Sequence, residues 1–424
     1  MKRSVVRALT AGAVCAAVVT AVAGAATGTQ FYAPKPDKGA LAQVSDLLSQ
    51  QDKADANLIR EMTSESHAVW FTGGTPAEVQ REVNKTVNAA AGQHSVAVLV
   101  AYDVPFRDCG QYSAGGALNT ADYLAWIDGF ARGIGSSRAV VLLEPDGLGI
   151  IPYNTDINGN AEWCRPDLSG TGLTPAAANQ ARYDQIGGAV ARLEQQPNVS
   201  VYLDGTHSAW LGVGDIAQRL VKAHIANAQG FFLNVSNYQF TQNGVQYGTW
   251  ISDCIASGNF AGCPNQYWNG GPDGTMIASL LGAWTGVALS NYGVWSDTAS
   301  DPALNTSGIN ARFSTPGTTH FVIDTSRNGL GPWKPTASYP DAQDWCNPPG
   351  RGLGARPTTD TGNALVDAYL WGKVPGESDG SCNRGVSGST IDPEWGGTVD
   401  PAAGAWFPQQ ALQLAQLASP GLLP

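Results

Sequence analysis

The chain has 424 residues, with 24 Lys and Arg against 35 Asp and Glu and a formal charge of −11. That balance excludes phosphate-backbone binding as the main task, because no basic surplus exists to displace counterions. With 51 Gly, 25 Pro and 13 Trp but only 14% charged residues, the chain is too apolar to be disordered and too irregular for a coiled coil.

Residues 1–26 read as an export signal. Lys2, Arg3 and Arg7 precede a small-residue apolar run from Ala8 to Val22, and Ala23-Gly24-Ala25 offers a cleavage site. The run is short for a membrane span and no later segment resembles one, so a secreted protein without membrane attachment is expected. Residues 27–424 show no repeat and no Pro/Thr/Ser-rich linker, which predicts a single domain with no separate carbohydrate-binding module.

Along that domain, short apolar runs end in polar, aromatic or acidic clusters. They are His67–Phe71, Ser95–Val104, Ala139–Asp146, Val199–Asp204, Phe231–Tyr238, His320–Asp324 and Ala364–Trp371. Such runs suit strands buried on both faces of a parallel sheet, although the last fits a helix equally well. Between them lie two helical stripes, Leu124, Ile127, Phe130 and Ile134, then Tyr183, Ile186, Val190 and Leu193. Strand–helix alternation implies right-handed βαβ units. About seven strands predict an α/β, TIM-like parallel barrel with its active site at the C-terminal ends of the strands. Gln239–Thr319, rich in Gly, Asn and Trp, reads as a surface excursion.

Cys15 falls within the signal and six cysteines remain, which in an exported chain predicts three disulfides. Fifteen pairings are open. Joining sequence neighbours gives Cys109–Cys164, Cys254–Cys263 and Cys346–Cys382. Asn154-Thr-Asp156-Ile-Asn158-Gly159 resembles the start of a calcium loop, but Arg165 stands where a Glu ligand is needed, so a polar turn is expected. No H-E-x-x-H helix occurs.

Four aspartates, Asp108, Asp146, Asp204 and Asp379, fall where such a barrel places its chemistry. An apolar run leading straight into a carboxylate predicts burial and a raised pKa, and several carboxylates in one cleft separate acid from base. Each alone also fits a helix cap or an Arg partner. Four together, beside Trp, Tyr and Asn, favour general acid–base chemistry.

Tyr102-x-x-Pro105-x-Arg107-Asp108-Cys109 and Glu144-Pro145-Asp146 resemble the two signatures of glycoside hydrolase family 6, the inverting β-1,4-glucanases. The likeness extends through YLDGTHSAW, FLNVSNY, IDTSRNG, DWCNPPGRGLG, PGESDGSC and DPEWGG. It implies a distorted seven-stranded barrel, cleavage of cellulose-type β-1,4-glucan, and no metal or other cofactor. It also implies Asp146 as general acid and Asp204 as the neighbour that holds the acid's proton. Asp379 matches the residue usually assigned as base, while Asp108, with Tyr102 and Arg107, tunes the site or relays the water's proton. Trp70, Trp210 and Trp345 match sugar-stacking platforms, since a glucose ring presents an apolar face. His207, Asn237 or Asn234, Lys373 and Glu377 match the polar contacts. Trp126 and Trp284 fall outside the motifs and read as structural.

Two positions depart from the family pattern. Gly147 replaces a side chain such as Ser and is expected to loosen its turn, and Ser113 is displaced by one position, so it receives no water-binding role. Processive members of the family that the chain resembles carry a long loop between PGESDG and the following Cys. Here only Ser381 separates Gly380 from Cys382, so the resemblance implies an open cleft and endo action, and a monomer is expected. The alternatives are an exo-acting cellobiohydrolase and a catalytically weak glucan-binding barrel.

Overall fold

The computed structural model describes residues 28–263, 292–295, 310 and 313–422. The export signal, Cys15 and Trp284 lie outside them. All seven apolar runs form strands: β1 (Val69–Phe71), β2 (Ala97–Ala101), β3 (Ala139–Leu143), β4 (Val199–Asp204), β5 (Gly230–Leu233), β6 (His320–Asp324) and β7 (Val366–Leu370). They pair in parallel in chain order, β1 through β7. The ambiguous last run is therefore a strand, aligned with β6 across a register shift at Phe321/Val322. β1 and β7 occupy the two edges of the sheet. The Ala68 N–H donates to the Trp371 carbonyl at 2.8 Å, so the sheet curls into a distorted barrel.

The helices are α1 (Lys38–Ser49), α2 (Lys53–Ser64), α3 (Pro76–Gly92), α4 (Thr120–Ile134), α5 (Pro175–Leu193), α6 (Val213–Lys222), α7 (Thr241–Ser257) and α8 (Pro408–Gln416). Local chemistry starts several of them. Thr75 and Glu78 form a reciprocal capping box at α3, whose first residue is Pro76, and Thr174 caps α5 ahead of Pro175.

The two-residue period of the strands divides the core. Leu99, Val141, Leu203, Phe231 and Ile323 face the helices, whereas Val100, Leu142, Tyr202, Phe232 and Val322 fill the barrel interior. Trp70 and Tyr102 pack on the interior set. Asp204 and Asp324 share the strand parity of Tyr202 and Val322 and end their strands at the barrel mouth. The alternation that fills the interior thus delivers aromatic and acidic side chains to one end.

The excursion expected from Gln239 contains instead a 17-residue helix, α7, with Tyr247, Trp250, Ile251 and Cys254 buried. Glycine and asparagine weaken its helical signal. Gly248 is needed there, because a Cβ would lie 2.4 Å from the Phe321 ring on β6. Three disulfides close as sequence neighbours: Cys109–Cys164, Cys254–Cys263 and Cys346–Cys382. Asp156 accepts from the Asn158 and Asn160 N–H groups, so the calcium-like stretch is a polar turn.

Candidate active site

Three strand-end carboxylates organise the mouth of the barrel. Glu144, fully buried after β3, accepts from the N–H groups of Asp103 and Val104 at 3.0 and 3.1 Å. Asp204, after β4, accepts from Leu148 and Gly149 at 3.1 Å and from Thr206 at 2.9 Å. Asp324, after β6, accepts from Ser326, Ser236 and Lys373. Each acid fixes loops that leave the neighbouring strands. Left-handed backbone concentrates in the same loops, with φ near 54° at Asp108, 53° at Glu144, 62° at Asp146 and 58° at Thr206. Non-glycine residues hold such angles only where their surroundings impose them.

Gly147 does not loosen its turn. Its N–H donates to the Glu144 carbonyl at 2.8 Å, and a Cβ there would lie 2.7 Å from that same oxygen. The fully buried Arg182 secures the turn further, donating to the carbonyls of Gly147, Ile150 and Pro105 at 2.7 Å each.

A cleft of about 710 Å³ opens over these loops, and Asp108, Asp146 and Asp379 line it. Burial raises Asp146 well above the carboxylate range, and the charges of Asp204, Asp108 and Asp379 raise it further. Among the described residues no group donates a hydrogen bond to its carboxyl. Asp204 lies beneath. Burial raises it too, but its three N–H donors and Arg219 favour the anion. The hydrogen bonds thus favour a charge on Asp204 over one on Asp146.

Asp379 is held differently. Arg327 donates to both of its oxygens at 2.9 Å, and Oδ2 also accepts from the Tyr238 hydroxyl at 3.1 Å and the Asn347 N–H at 3.0 Å. Lys373 Nζ stands 3.9 Å from Oδ1. Asp108 receives the Ser113 N–H on Oδ2 at 2.7 Å, and burial raises its pKa. Arg107 directs its guanidinium at the carbonyls of Thr72, Tyr102, Ser113 and Ala114, with its carbon 4.7 Å from the Tyr102 ring centre. It shapes the Asp108 loop from below.

Trp70, Trp210 and Trp345 all line the cleft. Trp70 stands edge-on to Tyr102 at 5.5 Å and donates its indole N–H to the Gly372 carbonyl. Trp210 lies 5.7 Å from His207, and Trp345 lies 5.9 Å from Tyr112. His207 Nδ1 accepts from the Ala209 N–H, which leaves Nε2 as the donor; burial lowers its pKa to about 3, so the ring is neutral. Lys373 and Glu377 line the cleft as well. Of the two asparagines, Asn237 lines it. Asn234 is buried, bonded to the Asp324 carbonyl and the Gln239 N–H. Trp126 is buried in the core, donating to the Gly73 carbonyl.

Several lining residues were not singled out in the sequence: Tyr112, Trp163, Tyr238, Asp341 and Asp344, although Tyr238 ends FLNVSNY and Asp344 opens DWCNPPGRGLG. Asn347, in the DWCNPPG segment, was also missed. Its side chain accepts from the Asp379 N–H at 2.8 Å and donates to Ser378, Gly380 and Asp400 at 2.9 Å each. Asparagine between tryptophan and proline residues reads as a turn former, so its grip on Asp379 emerges only in three dimensions.

A parallel barrel whose mouth joins indole rings to carboxylates in unlike hydrogen-bonding environments suits the chemistry of sugar polymers. The family model described as Glycosyl hydrolases family 6 matches residues 26–418, and the chain belongs to that family. It is 32% identical over 371 residues to Endoglucanase A of Thermobispora bispora, an alignment covering 86% of this chain and 62% of that protein's length. It is 31% identical over 358 residues to a probable 1,4-beta-D-glucan cellobiohydrolase C of Aspergillus terreus, covering 79% and 63%. Among solved structures, the endoglucanase of Mycobacterium tuberculosis in complex with a methyl-cellobiosyl thio-cellobioside superposes with a TM-score of 0.61 at 31% identity. That match covers 92% of this chain and 98% of that one.

Proposed function

We propose that the chain is a secreted endo-β-1,4-glucanase that cleaves internal bonds of cellulose or a related β-glucan with inversion, residues 27–424 acting as one catalytic domain and as a monomer. The observation that carries this reading is the unequal hydrogen bonding of two neighbouring acids. Asp204, fixed by three N–H donors, holds a charge beneath Asp146, which keeps its proton and faces the cleft. In the reaction, Asp146 gives that proton to the glycosidic oxygen as the C1–O bond breaks. A water oxygen bonds to C1 from the opposite face, a geometry that requires about 6.5–9.5 Å between acid and base.

The water's proton must leave on that face. Three donors converge on Oδ2 of Asp379 and Arg327 also holds Oδ1, which suits it as an electrostatic partner for a developing sugar cation. Asp108 retains Oδ1 free of the Ser113 contact, so the proton passes through water to Asp108. Trp70, Trp210 and Trp345 stack glucose faces, and His207, Asn237, Lys373 and Glu377 orient hydroxyls.

Endo action is supported by the short Asp379–Cys382 loop. The Cys382 N–H closes on the Gly380 carbonyl at 3.0 Å, leaving no length to arch over the cleft. The Tyr112–Trp345 contact, reinforced by Gln343 donating to the Tyr112 hydroxyl at 3.2 Å, favours partial cover and thus the exo reading. Reducing-sugar release from carboxymethylcellulose, with viscosity followed in parallel, tests both. Rapid viscosity loss with wild type and almost none with Asp146→Ala is expected. Inactive wild type would sink the enzyme reading in favour of a glucan-binding barrel, and equal activity in both proteins would remove Asp146 as acid. Cellobiose accumulating at constant viscosity would indicate a cellobiohydrolase.

A further inference from the structure

Trp163 belongs to none of the motifs that carry the family resemblance, yet its ring lines the same cleft as Trp210 and Asp146. It is the only described tryptophan that is predominantly exposed, at 54%. Among the described residues no ring packs against it and nothing accepts from its indole N–H. A large indole left bare is expensive in water unless something covers it.

The segment that presents Trp163 is firmly held. On one side Glu162 is paired with the buried Arg219, and its N–H donates to the Asn154 carbonyl at 3.0 Å. On the other side Cys164 is disulfide-bonded to Cys109, next to Asp108, and its carbonyl accepts from the Tyr153 N–H at 2.9 Å. The platform is therefore pre-organised, and covering it requires little ordering of the chain. Its continuity with the cleft, in a chain with few charges, identifies the occupant as a further stretch of the polymer in that cleft.

We propose that Trp163 is an additional stacking platform for glucose units beyond those held at the strand ends, giving the cleft a preference for longer β-glucan chains. This rests on the glucanase reading above. Its signature is dependence on ligand length, which neither a packing residue nor a residue at the bond-breaking centre produces.

The test is calorimetric titration of the full chain with cellotriose and cellohexaose, in an Asp146→Ala background so that neither is consumed. Trp163→Ala is expected to weaken cellohexaose binding roughly five- to tenfold, the range of one lost aromatic contact, and to move cellotriose less than twofold. Trp163→Phe should recover most of the loss. Unchanged cellohexaose affinity, or equal weakening of both ligands, overturns the proposal while leaving the glucanase reading intact. If the parent binds neither oligosaccharide, both fall. Because Trp163 is exposed, the thermal midpoint should stay within a degree or two in both variants; a larger drop shared by Trp163→Phe assigns the ring to packing and overturns the proposal.

Discussion

Arg327 grips Asp379 through both carboxylate oxygens, with two contacts of 2.9 Å between side chains almost fully withdrawn from water. Removing the guanidinium leaves a buried carboxylate without its counter-charge. Arg327→Met is expected to lose about 3–5 kcal/mol in denaturant unfolding, and Arg327→Met with Asp379→Leu to lose less than the sum of the single changes. Additive losses would show that the pair is not coupled.

Asp204 raises Asp146 through its charge. Replacing that charge with an amide lowers the Asp146 pKa, so the acid loses its proton at lower pH. Asp204→Asn should therefore shift the alkaline limb of the kcat profile to lower pH. A limb that stays in place means another group holds the proton.

The proposed relay through Asp108 gives it a different expected signature from Asp379. Asp108→Asn is expected to lower kcat about 100-fold, the scale of one lost proton acceptor, with KM little changed and the thermal midpoint within a few degrees of wild type. Asp379→Asn should destabilise the fold as well, because Tyr238, Arg327 and Asn347 all converge on that carboxylate. If Asp108→Asn turned over normally, the water's proton would have to leave by another route.

Glu144 makes stability itself depend on pH. Burial raises its pKa from 4.5 to about 7, so the folded state binds a proton that the unfolded chain has already released in that window. Its contribution is complete below about pH 4.5 and fades as pH rises towards 7. The loss is on the order of 3 kcal/mol. Asp204, raised to about 6, acts in the same sense. Thermal midpoints measured from pH 4.5 to 7.5 should fall in wild type and fall less in Glu144→Gln. Parallel curves would remove Glu144 as the source.

The strands were legible because a parallel sheet buried on both faces leaves unbroken apolar runs, as in Val96–Tyr102 and Val140–Leu143. Helix α7 was not, since the feature that hides it, Gly248 against Phe321, is also what lets it lie on β6. The strand-end aspartates were readable as candidates, but their division of labour was not. Asp204 and Asp146 follow similar apolar runs, but three N–H groups and the charge of Arg219 favour the anion at Asp204. Buried arginines were the largest omission. Arg182, Arg219 and Arg327 bond mainly to carbonyls and carboxylates more than 30 residues away, which no local pattern reveals. Asn234 and Asn237 were indistinguishable in the sequence, and one turn of backbone puts one below the floor and the other in the wall.

The two edge strands, β1 and β7, meet without a ladder, and two hydrogen bonds bridge them: Ala68 to Trp371, and the Trp70 indole to Gly372. Trp70 stands on one lip of this seam and Lys373 on the other, the ammonium 5.8 Å from the ring centre. A glucan chain lying on Trp70 and held by Lys373 would act as a clasp across the one line where the barrel wall is not laddered. Occupying the cleft would then brace the whole scaffold, and a bound polymer would also be what holds its wall shut.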